Sequence, residues 1–291
     1  MAIASKRIEG ALFMIGAASS LVAMALLVRL LAPDYHVLEL IFLRSVVNLC
    51  LMAPWILRQG AVAIRTERLA LHGLRNGLLY TGNVAWFFGV TMVTLAELSA
   101  LQFTMPIFVV VMAVLVLGER VDLARIAVVA AGFAGTLIIV RPTGLGFGIG
   151  PLVVLAAAFF YASAFIATKR LASSESGNVV VFYMSVFVLV FSAIPAVFVW
   201  RTPELADLPA IAGLGVAGYA VHYCVTRAMA AADASFVVPF DFLRLPLSVG
   251  LGIVLFGEAF DLPILIGAAI IFAAAWYNTW REERRGGALI R

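Results

Sequence analysis

Apolar residues in this chain neither alternate with polar ones nor recur on a single helical face. They run on in blocks of about twenty, separated by short polar stretches. A helix needs roughly 20 mostly apolar residues to cross the hydrocarbon core of a bilayer. Ten segments qualify, over 8–31, 37–57, 69–91, 96–117, 121–140, 149–169, 178–200, 208–230, 235–256 and 260–280. Lys6-Arg7 followed by an apolar run imitates a signal peptide. The run to Leu31 is longer than an h-region of about 7–15 residues and ends in no small-residue cleavage site, so it reads as a retained first helix. The expected fold is an all-α integral membrane protein of ten antiparallel spans, with loops too short for catalytic segments.

Composition supports lipid as the solvent. Of 291 residues, 64% are hydrophobic and 12% charged, where a soluble domain has about half and a quarter. The mean hydropathy is +1.09. Cys50 and Cys224 lie in apolar blocks and read as small packing residues, not as a disulfide or metal site. The net charge of +4 does not point to nucleic acid, because the basic residues sit between spans, where topology accounts for them. With the N-terminus in the cytoplasm, cytoplasmic segments hold fourteen of the twenty Lys and Arg. External segments hold Arg29, Arg141 and Arg201, and Arg44, Arg75 and Arg244 fall inside helices. The excess predicts that both termini are cytoplasmic.

The two halves of the chain correspond. Gly118-Glu119-Arg120-Val121-Asp122 ends the fourth span and Gly257-Glu258-Ala259-Phe260-Asp261 the ninth, 139 residues later. The same offset sets Tyr80 on Tyr219, and Arg29-Leu30 pairs with Arg170-Leu171 at an offset of 141. Two repeats, 1–142 and 149–291, are expected around a linker at 143–148. Five spans is an odd number, so the second repeat must run inverted to the first, a construction that places a transporter's substrate site near the midplane. Each Gly-Glu also has a local explanation: Gly closes one helix, and Glu opposes the dipole at the start of the next.

Ten spans, two five-helix repeats and the paired Gly-Glu turns resemble the drug/metabolite transporter superfamily, EamA branch. So do Pro106 and Pro246 ahead of those turns, Leu43-Arg44 in the second span, and Ile139-Val140-Arg141-Pro142 after the fifth. The resemblance covers nearly the whole chain. It implies a secondary carrier of a small molecule in the inner membrane, working by alternating access without ATP hydrolysis, and functional as a monomer. Asp241 and Arg244 have no charged counterparts in the first repeat, which locates any asymmetry of the pathway in the ninth span.

Polar residues deep in lipid mark pathways or partners. Arg244 lies near the midplane, with Asp241 three residues earlier on the same helix face, between Pro239 and Pro246. The two form either a self-contained ion pair or a pair shared with substrate, and the prolines predict a kink. The third span carries His72, Asn76, Tyr80, Asn83 and Phe87 within about an 80° sector. The eighth carries Tyr219, His222, Tyr223 and Thr226. Such stripes serve as packing glue or line a cavity, and two matched stripes favour a shared central cavity. Arg44, with Asn48 one turn on, is explained by snorkelling as well as by a site; Arg75 can snorkel inward, and Glu39 and Glu97 read as rim residues. Small residues at 16–20 and 156–158 allow close helix approach. The glycine-rich stretch Thr143–Gly148 follows no Rossmann strand, lacks the GxGxxG spacing, and reads as a linker.

A cavity built from Arg244, Asp241, Arg44, Asn76, Tyr80, Asn83, Tyr219, His222 and Tyr223 suits a small zwitterion, with an amino acid as the leading case. The aromatic stripes suit equally a larger heteroaromatic solute, such as a vitamin or nucleoside derivative. No HExxH, no GxS paired with a base and no carboxylate cluster appears, so no catalytic residue, metal or cofactor is expected.

Overall fold

The computed structural model describes residues 2–59, 66–118, 123–141, 148–171, 175, 177–232 and 234–288. Arg65, Glu119–Asp122 and most of the linker at 143–148, on which expectations rest, lie outside the described residues. The described residues hold twelve helices and no strand. They are α1 (Ala2–Leu31), α2 (Val37–Gln59), α3 (Leu69–Met92), α4 (Leu95–Gln102), α5 (Met105–Leu117), α6 (Leu123–Val140), α7 (Ile149–Leu171), α8 (Gly177–Phe198), α9 (Leu208–Ala231), α10 (Ala234–Asp241), α11 (Arg244–Phe256) and α12 (Leu262–Ala288).

These are ten spans, because the fourth (α4 with α5) and the ninth (α10 with α11) are each broken into pieces of 8 and 13 residues. Seven segments are long and apolar enough to cross a membrane, and shorter apolar stretches lie at Ile126–Val140 and Leu262–Asn278. The remaining span is α3, 24 residues long, with the polar stripe that lowers its hydropathy.

Both breaks have the same cause. Proline lacks an N–H and its ring collides with the preceding turn, so it fits best in a helix's first turn, although Pro54, Pro195 and Pro239 lie inside α2, α8 and α10. Pro106 and Pro246 take that place in α5 and α11. The chain tightens ahead of them: Phe103 and Thr104 donate to Ala100 and Leu101, and Phe242 and Leu243 to Pro239 and Phe240, all three residues back at 3.0–3.2 Å. The expected kink near Asp241 is thus a full break, and one the apolar pattern hides recurs in the first half. The two breaks meet, with the rings of Phe103 and Phe242 stacked at 5.3 Å and 27°.

Helix pairing follows an exchange of halves. α1 packs on α9 as α3 packs on α7, while α2 packs on α8 and α6 on α12. Ala17 and Ala18 on α1, and Ala157 and Ala158 on α7, are buried at these contacts. At the α6–α12 crossing the backbones touch. A Cβ added at Gly135 would lie 2.7 Å from the Gly267 carbonyl oxygen, and one at Gly267 would lie 2.6 Å from that of Gly135.

Gly118 and Gly257 close α5 and α11 in the left-handed conformation, at φ 67° and 64°. Glu258 departs from the local explanation. Its carboxylate accepts the Leu95 N–H at the start of α4 at 3.1 Å. It is also paired with Arg29 at the end of α1. Gly252 leaves the space that the carboxylate fills. The dipole it opposes is therefore that of a helix in the other half.

Candidate functional site

Helices α8 and α9 both pack on α2 but little on each other, and a cavity of about 230 Å³ lies between them. Asn48 and Met52 face it from α2, Val181, Met184 and Ser185 from α8, and Tyr219, His222, Tyr223 and Thr226 from α9. The Tyr219 and Tyr223 rings, one turn apart, stack at 6.1 Å and 16°. Tyr223 is 47% exposed and marks the mouth. A recess of about 20 Å³ continues inward past Asn48, Met184, Ser185 and His222 to Arg44, Ser45 and Asn83. Arg44 lies 7 residues from the start of α2 and Asn83 lies 9 residues from the finish of α3, whereas Met52, Val181 and Thr226 lie toward the end where α1 begins and α12 finishes. The cavity therefore runs from mid-bundle toward the end that carries the termini.

The opposite end is bridged by cross-ties, beside an open depression of about 430 Å³ bordered by Arg29, Tyr35, His36 and Phe88. Arg29 is paired with Glu258 and also donates to the carbonyls of Val90 and Val93 at the end of α3. This joins α1, α3, α4 and α11 at one point. Arg141 is paired with Asp261. Tyr35 donates to Asp207 at 2.7 Å and accepts the Glu204 N–H at 3.0 Å. Arg201 bonds Asp34 and Glu204, and its N–H meets Glu39. Those bonds, to Glu204 first and then Asp34, hold the Arg201 guanidinium above its ordinary range. Glu39 is fully buried beneath this network, not a rim residue.

The nine residues expected to share one cavity separate into three groups. Tyr219, His222, Tyr223, Arg44 and Asn83 line the cavity or its recess. Arg44 is 6% exposed and does not snorkel. The rest of the α3 stripe turns toward α7 and α8, as interhelical glue. Asn76 accepts from Arg75, which also donates to Thr168 on α7. Tyr80 packs on Phe191, and His72 lies against Tyr183 at 4.5 Å. Asn83 itself accepts from Tyr161 on α7 at 3.0 Å.

Arg244 is apart from the three tyrosines. It faces a void of about 10 Å³ beside Gln102 and Ser99, its guanidinium 4.0 Å above the Phe103 ring and 3.5 Å from Asp241. The helix break accounts for this. With α11 starting at Arg244, the side chain emerges against α4 at the junction of the two breaks, not along α9. Met52, Met184 and Ser185 escaped the sequence reading because α2 and α8 look uniformly apolar there. A lone serine among valines and phenylalanines was the only trace.

Comparison with known proteins supplies a frame. The EamA-like transporter family model matches twice, over residues 8–141 and 148–280. A protein named riboflavin transporter from Rhizobium johnstonii is 36% identical over 238 residues, covering 80% of this chain and 78% of its own. One of the same name from Vibrio cholerae is 32% identical over 225 residues, 76% of each chain. An S-adenosylmethionine uptake transporter from Rickettsia bellii is 27% identical over 256 residues, 88% of each chain. A crystal structure of a protein 22% identical superposes with a TM-score of 0.61 over 97% of this chain and 98% of that one, which shows a shared fold.

Proposed function

The chain belongs to the EamA-like transporter family, and from that premise we propose that it carries an uncharged heteroaromatic metabolite of the flavin type across the inner membrane. The observation that carries this reading is the lining of the cavity. It offers two stacked tyrosines, neutral polar groups and one cation at its inner end, and no carboxylate among the described lining residues. A flat ring gains by stacking on such faces. S-adenosylmethionine has a carboxylate to offer the guanidinium, but its sulfonium and amine meet no carboxylate among the described lining residues, which disfavours it. The two riboflavin transporters described above are each more than 30% identical to this chain and point the same way. An amino acid, the leading case on sequence grounds, is named by none of the three relatives described. Its support weakens further because Arg244 and Asp241 are spent on each other away from the cavity.

Ligand pockets span about 300–1,000 Å³, so a space of about 230 Å³ suits the ring while a polar tail stays in the mouth. On this reading Tyr219, Tyr223 and His222 hold the ring, and Arg44, Asn48 and Asn83 meet its inner edge. The repeats 1–142 and 149–291 rock about each other to alternate access, a division supported by the two family matches and the paired breaks. Asp241, Arg244 and the stacked phenylalanines belong to the junction that such rocking flexes. The Lys/Arg count puts the termini, and with them the open cavity, on the cytoplasmic side. Purified protein in liposomes, tested with radiolabelled riboflavin, S-adenosylmethionine and a neutral amino acid, decides the matter. Saturable riboflavin uptake above empty vesicles is expected; uptake of either other solute in its place would overturn the reading.

A further inference from the structure

Among the described residues Arg44 is an inner-span cation without an oxygen partner. Arg29 has Glu258, Arg75 has Thr168 and Asn76, and Arg244 has Asp241. Among the described residues Arg44 makes one polar contact, from Nη1 to the Met24 sulfur at 3.7 Å, and its Nε has none. Its guanidinium lies 5.1 Å from the centre of the Phe87 ring. The fold makes room for it: a Cβ at Gly218 would lie 3.1 Å from Arg44 Cδ. A buried charge without a partner is costly in a membrane interior, and is retained where something else completes it. Asn48, one turn further on and on the same recess, has a buried Oδ1 that also lacks a partner. One unsatisfied donor and one unsatisfied acceptor thus flank one small recess at the blind end of the cavity.

We infer that Arg44 and Asn48 read the imide edge of the substrate ring, –CO–NH–CO–, with the guanidinium donating to a ring carbonyl and Asn48 Oδ1 accepting the imide N–H. This rests on the flavin-type reading and narrows it. An imide presents an acceptor and a donor side by side, the complement of the pair in the recess. A planar guanidinium suits a ring carbonyl and its neighbouring ring nitrogen, which a lysine ammonium does not match. Stacking on Tyr219 and Tyr223 tolerates many rings, so this edge is where selectivity arises. A site built to bond an N–H rejects an analogue lacking it, because the site's own polar atom is then left unpaired.

The test compares riboflavin with its N3-methyl derivative, in which the imide hydrogen is replaced and the ring face is kept. Binding to the purified wild-type protein in detergent is read by quenching of flavin fluorescence. Riboflavin is expected to bind at least about tenfold more tightly than the methylated compound. Asn48→Ala should abolish that preference while retaining stacking. Arg44→Gln and Arg44→Lys should both weaken riboflavin, with size-exclusion profiles confirming folded protein. If wild-type protein binds both flavins equally, the imide assignment is overturned and the flavin-type reading stands. If it binds neither, the flavin-type reading itself has failed and takes the assignment with it. The wild-type comparison gives its answer even if a variant does not fold.

Discussion

Replacing Glu258 by Gln should loosen the cross-tied end of the bundle. Arg29 and Glu258 are only 17% and 11% exposed, so their attraction is weakly screened. The substitution removes the charge and keeps the shape. Arg29 retains the carbonyls of Val90 and Val93, and the Leu95 N–H retains an amide oxygen in place of a carboxylate. What is lost is the charge-assisted part of one buried contact, about 2 kcal/mol. At about 1.4 kcal/mol per tenfold, that shifts the balance between closed and open forms by about 30-fold. Ser99, on α4 just inside the latch and bonded to Ser248 at 2.6 Å, reports the opening. In a Ser99→Cys protein with Cys50 and Cys224 replaced, a membrane-impermeant maleimide applied from the side away from the termini should react slowly. Glu258→Gln should raise that rate by about the same factor. A fall in thermal stability with no change in labelling would refute the reasoning, since the pair would then serve folding alone.

Gly135→Ala and Gly267→Ala should each destabilise the folded protein by about 1–3 kcal/mol, because the new methyl meets a carbonyl oxygen that cannot rotate away. Gly77→Ala and Gly250→Ala, where a Cβ meets nothing within 4 Å, are the controls, and thermal unfolding in detergent compares all four. Arg244→Ala leaves Asp241 without its partner and should cost about 3–5 kcal/mol. Asp241→Asn/Arg244→Gln removes both charges and should fold nearly normally, and the liposome assay then shows whether transport needs the charges: uptake at the wild-type rate assigns them to structure alone. A single cysteine at position 65 should resist a maleimide added outside intact cells and react after permeabilisation; labelling from outside would reverse the topology.

The spans were legible because lipid leaves few ways to hide a backbone: every crossing segment must be a long apolar helix, and its ends follow from where the apolar run stops. The break at Phe103 was not, and the one at Phe242 showed only as the kink that Pro239 and Pro246 predict, since tightened turns use the same apolar residues as the helix around them. The prolines gave the only sign. Polar stripes announced that polar faces meet something, and could not say what. On α9 that something is a cavity, and on α3 it is chiefly Tyr161, Tyr183 and Phe191 of the neighbouring helices. Glu258 was noticed for its repetition and explained by its nearest helix, whereas its partners lie 163 and 229 residues away in the chain. Such distant pairings leave no periodic trace.

The meeting of Gly135 with Gly267 has a mechanical consequence. Side chains that touch can change rotamer and keep touching, but two backbones in contact have no such slack. If the halves rock, this point stays put and acts as a fulcrum. α6 and α12 pack on each other and on the broken spans beside them, whereas the cavity is walled by α2, α8 and α9 on another side of the bundle. The cavity wall therefore sits at the far end of a lever. A few degrees of turning at the glycines, too little to disturb their contact, sweeps the mouth beside Tyr223 through a much longer arc.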